Sequence, residues 1–283
     1  MPHRSDNKQF VEALARGLDV IRAFNEFKPI RTVSDLAAEL DLARPTVHRI
    51  LHTLEHLGYV IQTDNGYYLS PKVLDLGFGY ISTRGFYGAA RVHLEKLASK
   101  IDQAISITEL VESDIVYVGR IEVPKVVAYH VSLGQRLPAH STSPGRVLLS
   151  GLSDEELDRR LATPSLSQVE PMITLPVDEL KAEILKIRKQ GWAMTSQTMS
   201  LGYRALAAPI YDATETMVAA IGIVVHSSEI SEAKLRDEVL PDLLDAASKI
   251  TEDFVTMAKL PRKRVSVAER GYVNFAASVA TSI

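Results

Sequence analysis

Arg44, Thr46, His48, Arg49, His52 and Thr53 fall within ten residues of the stretch ARPTVHRILHTLEH, and each carries a group able to donate a hydrogen bond. Guanidinium, imidazole and hydroxyl groups at this density suit phosphate oxygens and the edges of base pairs. No acid interrupts them before Glu55. A second concentration of reactive types lies in AHSTSPG, where His140, Ser141 and Ser143 crowd together. No spacing identifies an acid to complete a nucleophilic relay there, and serines ahead of a helical run commonly serve as caps. His48, His52 and His56 repeat at every fourth position. Two such imidazoles can share a metal, but a third protein ligand is needed and none is evident nearby. Neither a metal nor any other cofactor is expected.

The elements that must position the donors follow from the flanking residues. In TVSDLAAEL, Thr32 is a natural N-cap with Asp35 three residues on, and Val33, Leu36, Ala37 and Leu40 follow at helical spacing. Asp41 to Ala43 make a short turn. Pro45 suits the start of a second helix, whose apolar stripe is Val47, Ile50, Leu51, Leu54 and Leu57, with Gly58 as a stop. Two short helices joined by a tight turn form a helix-turn-helix. YVIQTDNGYYLSP then reads as a hairpin, Tyr59–Gln62 and Tyr67–Ser70, turning through Asp64, Asn65 and Gly66. Helices plus hairpin make a winged helix, and its decorated face has the chemistry to enter a DNA major groove.

Composition bounds the rest. The chain has 283 residues, 46% hydrophobic and 24% charged, with a formal net charge of −3 and no cysteine. Disulfides and thiolate metal sites are excluded, and the length suits two domains. The N-terminal MPHRSDNKQF lacks a signal-peptide core, and no apolar run is long enough to span a membrane, so the expectation is a cytoplasmic protein without membrane contact. Residues 1–60 hold eight Lys/Arg and eight Asp/Glu. DNA affinity therefore requires the cations to be sorted to one side and two half-sites to be read by an oligomer.

Beyond residue 100, AISITELV, DIVYVGRIEV, KVVAYHVSL, RALAAPIYD and MVAAIGIVVH read as strands. SPGRVLLSGL, SDEELDRRLA, VDELKAEILKIRKQG and the run from Ser231 to Lys259 read as helices. The spacing is not that of regular βαβ units, so an antiparallel sheet flanked by helices is expected, an α+β arrangement. GFG at 77–79 lacks the preceding strand and third glycine of a nucleotide loop. No G-x-S-x-G or H-E-x-x-H motif is present. A regulator rather than an enzyme is expected; the alternative is a hydrolase or transferase fused to a DNA-binding domain.

FVEALARGLDVIRAF, TVSDLAAELDLARPTVHRILHTLEHLGYV, LPAHSTSPGRVLLSGL and GWAMTSQTMSLGYRALAAPIYD, in this order, resemble the isocitrate-lyase-regulator (IclR) family of bacterial transcription factors. EALARGLDVI and RLPAHSTSPGRVLLS look most like the branch that controls protocatechuate and 4-hydroxybenzoate catabolism. The resemblance implies a winged helix-turn-helix domain at 8–71, a linker helix at 72–87 and a GAF-like effector-binding domain at 88–260. Residues 261–283 form an extension beyond it, expected to be solvated or partly disordered. It also implies double-stranded operator DNA as a partner, a small-molecule carboxylate effector, and assembly as a homodimer or homotetramer.

Carried over position by position, the effector site would comprise Tyr129 on a strand, Leu137, Ser143, Pro144, Thr195, Tyr203, Ala205, Gly222 and Val224. Relative to members that bind small keto acids, Thr195 stands in place of an acid, and Gly222 and Val224 in place of serines. That shift, with two tyrosines, favours a flat aromatic ring. Backbone N–H groups at Pro144 to Arg146 would hold the carboxylate. Thr195, Ser196 or His226 would meet a ring hydroxyl, and Arg136 or Arg204 would add charge unless Arg204 only ties the sheet together.

Overall fold

A computed structural model describes residues 9–25, 27–84, 86–125, 129–167 and 169–259, and divides the chain into two compact units, the first ending at Arg84. In the first unit, α1 (Glu12–Arg22) precedes a reciprocal capping box: the Asp35 N–H donates to Thr32 Oγ1 at 3.2 Å and the Thr32 N–H to the Asp35 carboxylate at 3.0 Å. That box starts α2 (Val33–Leu40), and Asp41, in the left-handed region at φ 52°, ends it. Three residues later α3 (Arg44–His56) begins, with Pro45 in its first turn. Val20, Leu36, Val47, Leu51, Leu54, Val60 and Tyr67 are buried together as the core. Leu57, expected on the inward stripe, is 49% exposed because the helix ends there and the chain turns at Gly58.

The hairpin pairs β1 (Val60–Thr63) with β2 (Gly66–Leu69) around Asp64 and Asn65. Arg31 and Tyr67 exchange backbone hydrogen bonds at 2.9 and 2.8 Å, which ties the hairpin to the segment before α2. Gly66 sits so close to that segment that a Cβ would lie 2.7 Å from the Arg31 carbonyl oxygen, so only glycine fits. α4 (Leu74–Arg84) follows and clusters with this first unit.

The second unit opens with α5 (Phe86–Ile101). Its sheet is six-stranded and antiparallel throughout, in the order β5-β4-β3-β8-β7-β6. In chain order the elements are β3 (Ile105–Val111), β4 (Asp114–Ile121), β5 (Arg136–Pro138), α6 (Ser143–Ser150), α7 (Asp154–Ala162) and α8 (Val177–Gln190), then β6 (Ala193–Ser196), β7 (Tyr203–Tyr211) and β8 (Met217–His226). A short α9 (Glu232–Lys234) and a π-helical turn (Leu235–Val239) lead into α10 (Leu240–Lys259). The fold is α+β.

Side chains alternate across this sheet as the strand period requires. Ile105, Ile107, Leu206, Ala208, Ile223 and Val225 pack with α5 and α10. Tyr117, Leu137, Ala207 and Ala220 pack on the opposite face with α6 and α8. The described residues of KVVAYHVSL, Lys125 and Tyr129 to Leu133, are not in a strand, contrary to expectation. β5 takes the place beside β4 instead, with Pro138 opposite Asp114. Residues 126–128 and the 261–283 extension lie outside the described residues.

Candidate functional site

Two sets of residues concentrate functional chemistry, one in each unit. On α3, Val47, Leu51 and Leu54 are buried, which turns Arg44, His48, Arg49, His52 and Thr53 outward; Thr46 is half-buried. Among the described residues neither Arg44 nor Arg49 has a carboxylate partner. Two other cations of this unit are engaged: Arg31, buried, reaches the Ala23 carbonyl and Glu39 at 2.7 Å each, and Lys28 reaches Glu39 at 2.9 Å. Those two cations hold the Glu39 carboxyl below its usual range by hydrogen bonding. Glu39 is thus taken up by Arg31 and Lys28, while the α3 guanidiniums have no carboxylate partner among the described residues. Thr53 donates its hydroxyl to the Arg49 carbonyl at 2.9 Å, so it offers a partner only oxygen lone pairs and a methyl group. The described residues contain no group of three His, Asp or Glu that could hold a metal ion.

In the second unit, Tyr129, Leu137, Pro144, Thr195, Tyr203, Ala205 and Val224 line one cavity on the α6 face of the sheet. The strand register explains the grouping: Thr195 pairs with Ala205 and Ala205 with Val224, so all three project to the same side. Ser143 and Gly222 do not line it. Ser143 is fully buried behind it, its hydroxyl without a partner. A Cβ on Gly222 would meet Pro144 Cβ at 3.8 Å, which places this glycine beneath Pro144. Tyr117, Thr142, Thr198, Met199, Ser200 and Arg204 complete the wall. Tyr117 was recoverable from sequence, since alternation from Ile115 puts it on this face. The 198–200 roof had no such signal, because it depends on left-handed Gln197 and Gly202 and on the N–H groups of Met172 and Ile173 donating to the Thr198 carbonyl at 2.8 and 3.1 Å.

The cavity encloses about 30 Å³, room for a water or two rather than an organic ligand. Aromatic rings fill the rest. Tyr129 and Tyr203 meet edge to face at 5.2 Å between centroids, and Tyr203 and His226 at 5.1 Å. Burial raises the pKa of both the Tyr117 and the Tyr129 phenol, while a hydrogen bond with Ser200 opposes the shift at Tyr129. Both are therefore neutral donors rather than anions.

The expected carboxylate seat on α6 is not available. Gly145 donates its N–H to the Thr142 hydroxyl at 3.1 Å, Arg146 donates its own to the Thr142 carbonyl at 2.9 Å, and Pro144 has none. The N-cap has consumed what the ligand would need. Arg136 is likewise engaged, with the buried Asp114 carboxylate at 3.1 Å and the Val111 carbonyl at 3.1 Å. Arg204 pairs in register with Val225 on the α10 face, and donates to the Ser227 and Ile230 carbonyls at 3.1 Å. It ties the segment after β8 to the sheet through those two carbonyls, although Arg204 also borders the cavity.

Comparison with known proteins agrees with this geometry. Residues 13–64 match the IclR helix-turn-helix domain, and residues 78–252 match the C-terminal domain of IclR bacterial transcriptional regulators. The Pca regulon regulatory protein of Pseudomonas putida is 35% identical over 84% of this chain and 82% of its own. A transcriptional regulator from Rhodococcus sp. RHA1 superposes with a TM-score of 0.76 at 40% identity, covering 88% of this chain and all of that one. The inducer-binding domain of the Acinetobacter PobR transcription factor, solved as a double mutant with 3-hydroxybenzoic acid, gives 0.54 at 28% identity over 58% of this chain and 97% of its own. The chain belongs to the IclR family of transcriptional regulators, and its likeness is to the Pca and PobR branch.

Proposed function

We propose that this regulator reads operator DNA through Arg44, Thr46, His48, Arg49, His52 and Thr53, and that a hydroxylated benzoate bound in the second unit controls it. The carrying observation for DNA is the pair Arg44 and Arg49 on the outer face of α3, neither with a carboxylate partner among the described residues, while Glu39 is taken up by Lys28 and Arg31. For the effector it is the cavity walled by Tyr117, Tyr129, Tyr203, Leu137 and Val224, whose rings and aliphatic groups match a flat aromatic ligand. The PobR domain with its bound 3-hydroxybenzoic acid supports the same ligand class. Protocatechuate and 4-hydroxybenzoate are the leading candidates.

The protein acts in the cytoplasm as a homodimer or homotetramer. Val11, the N-cap of α1, and Leu14 and Leu18 on it form an apolar stripe that is 61%, 63% and 48% exposed, and a second copy is the natural cover for it. No helix among the described residues is long and apolar enough to cross a membrane. A thermal-shift screen of the full chain against aromatic acids and small keto acids tests the ligand class. Stabilisation by hydroxybenzoates supports it, and stabilisation by keto acids alone refutes it.

A further inference from the structure

A second small cavity, of about 20 Å³, adjoins the first and shares Tyr129, Tyr203 and Val224 with it. Its other walls are mostly polar, Gln103, Arg120, Lys125, His226 and Glu229, with Ala104 and Val123 beside them. Neither cavity alone has space for a benzoate. Tyr129 and Tyr203, which meet edge to face, form the common wall together with Val224, and parting the two rings would join an apolar chamber to one that holds Arg120 and Lys125. Such a joined space has the polarity of an aromatic acid, apolar at one end and able to balance a negative charge at the other.

We propose that the two cavities are halves of one effector site and that Arg120 binds the effector's carboxylate. The inference rests on the aromatic-acid reading above and adds the residue that selects for an acid. Arg120 is on the required face, because it pairs with Ser106, and Ser106 pairs in turn with Gly222. Its side chain is only 6% exposed. Nη1 donates to Ser106 Oγ at 2.8 Å and Nη2 to the Tyr129 carbonyl at 2.8 Å, which aims the guanidinium along the sheet towards the tyrosine pair. Each terminal nitrogen keeps a second N–H without a partner among the described residues, as a carboxylate requires. Among the described residues its carboxylate partner is Glu122, at 2.5 Å on Nε, whose side chain is 56% exposed.

The other candidates fail on prior commitment. The N–H groups of Gly145 and Arg146 are spent on Thr142, Arg136 is paired with Asp114, and Arg204, which borders the first cavity, is engaged by the Ser227 and Ile230 carbonyls. Lys125 lies in the polar chamber but is held by Glu229 at 2.7 Å and Asp102 at 3.5 Å. The Arg120 charge is also close enough to oppose the upward pKa shifts of both Tyr117 and Tyr129, so it reaches the rings on either side of the site. Gly222 takes a role from this arrangement. With no side chain between Ser106 and Ala207, it leaves space beneath Pro144, which lines the first cavity.

Calorimetry with 4-hydroxybenzoate and its neutral isostere 4-hydroxybenzamide tests the assignment on the full chain. The wild type is expected to bind the acid about thirtyfold tighter than the amide. Arg120→Met is expected to bring the two within about threefold by weakening the acid alone, and Arg120→Lys to keep a preference for the acid. Equal loss of both ligands in Arg120→Met would show that Arg120 only supports the fold, and would overturn the proposal. Should Arg120→Met not fold, equal binding of acid and amide by the wild type overturns it without any variant. A wild type that binds no hydroxybenzoate at all fails earlier, at the aromatic-acid reading, and takes this inference with it.

Discussion

Tyr203 stands between Tyr129 and His226, its ring edge to face with each at 5.2 and 5.1 Å. The middle ring of such a ladder contributes more than its own area, because removing it leaves two edges without a face. Tyr203→Ala should therefore weaken hydroxybenzoate binding by about tenfold, on the order of 1 kcal/mol, while Tyr203→Phe keeps most of the affinity. Calorimetry compares the two. Unchanged affinity in Tyr203→Ala would remove the ladder from the site.

Gly222 offers a second probe of the same site. Its imagined Cβ makes ordinary contacts, 3.5 Å to the Leu206 carbonyl oxygen and 3.8 Å to Ala207 and Pro144, so Gly222→Ala should fold. Gly222→Leu extends into the space beneath Pro144 and should abolish effector binding, with DNA affinity in the absence of effector intact. Effector binding that survives in Gly222→Leu would place the ligand elsewhere.

On the DNA side, the free guanidiniums of α3 make separable predictions. Arg49→Ala should weaken all sequences alike and lower the slope of log K against log salt by about one, as expected for a lost phosphate contact. Thr46→Ala or His48→Ala should instead alter preference at one base pair by about 1–3 kcal/mol, if either side chain reads an edge. Operator binding left unaltered by Arg44→Ala together with Arg49→Ala would rule out this helix.

The capping box bears on stability alone. Thr32→Ala removes the acceptor for the Asp35 N–H and should cost about 1 kcal/mol, read as a lower midpoint in urea for the first unit. A midpoint equal to that of the wild type would mean that Asp35 and water cap α2 without help from Thr32.

Much of this fold was legible because local rules and tertiary packing agree. Thr32, Asp35, Asp41 and Pro45 each mark a helix boundary by their own chemistry, and the donors on α3 stand out because the apolar stripe beside them is so regular. Alternation revealed most of the sheet. It failed at Tyr129–Leu133, where apolar residues bury themselves against β4 without pairing to it, and at β5, too short at three residues to show a period. The lining of the cavity could be named by resemblance, but the fate of individual N–H groups could not. Whether Gly145 donates to a ligand or to Thr142 depends on the torsion of one hydroxyl-bearing side chain. Arg120 escaped notice for a related reason. Its role depends on which chamber lies beyond the tyrosines, a relation between loops that no spacing encodes.

The central claim is that occupancy of the aromatic pocket changes how α3 meets DNA. Fluorescence anisotropy of the protein titrated onto DNA from its own promoter region, with and without 4-hydroxybenzoate or protocatechuate, tests it most directly. Coupling between the two sites requires the acid to move the binding midpoint, in either direction, by about fivefold or more. A midpoint indifferent to every hydroxybenzoate yet moved by glyoxylate or pyruvate would contradict the account.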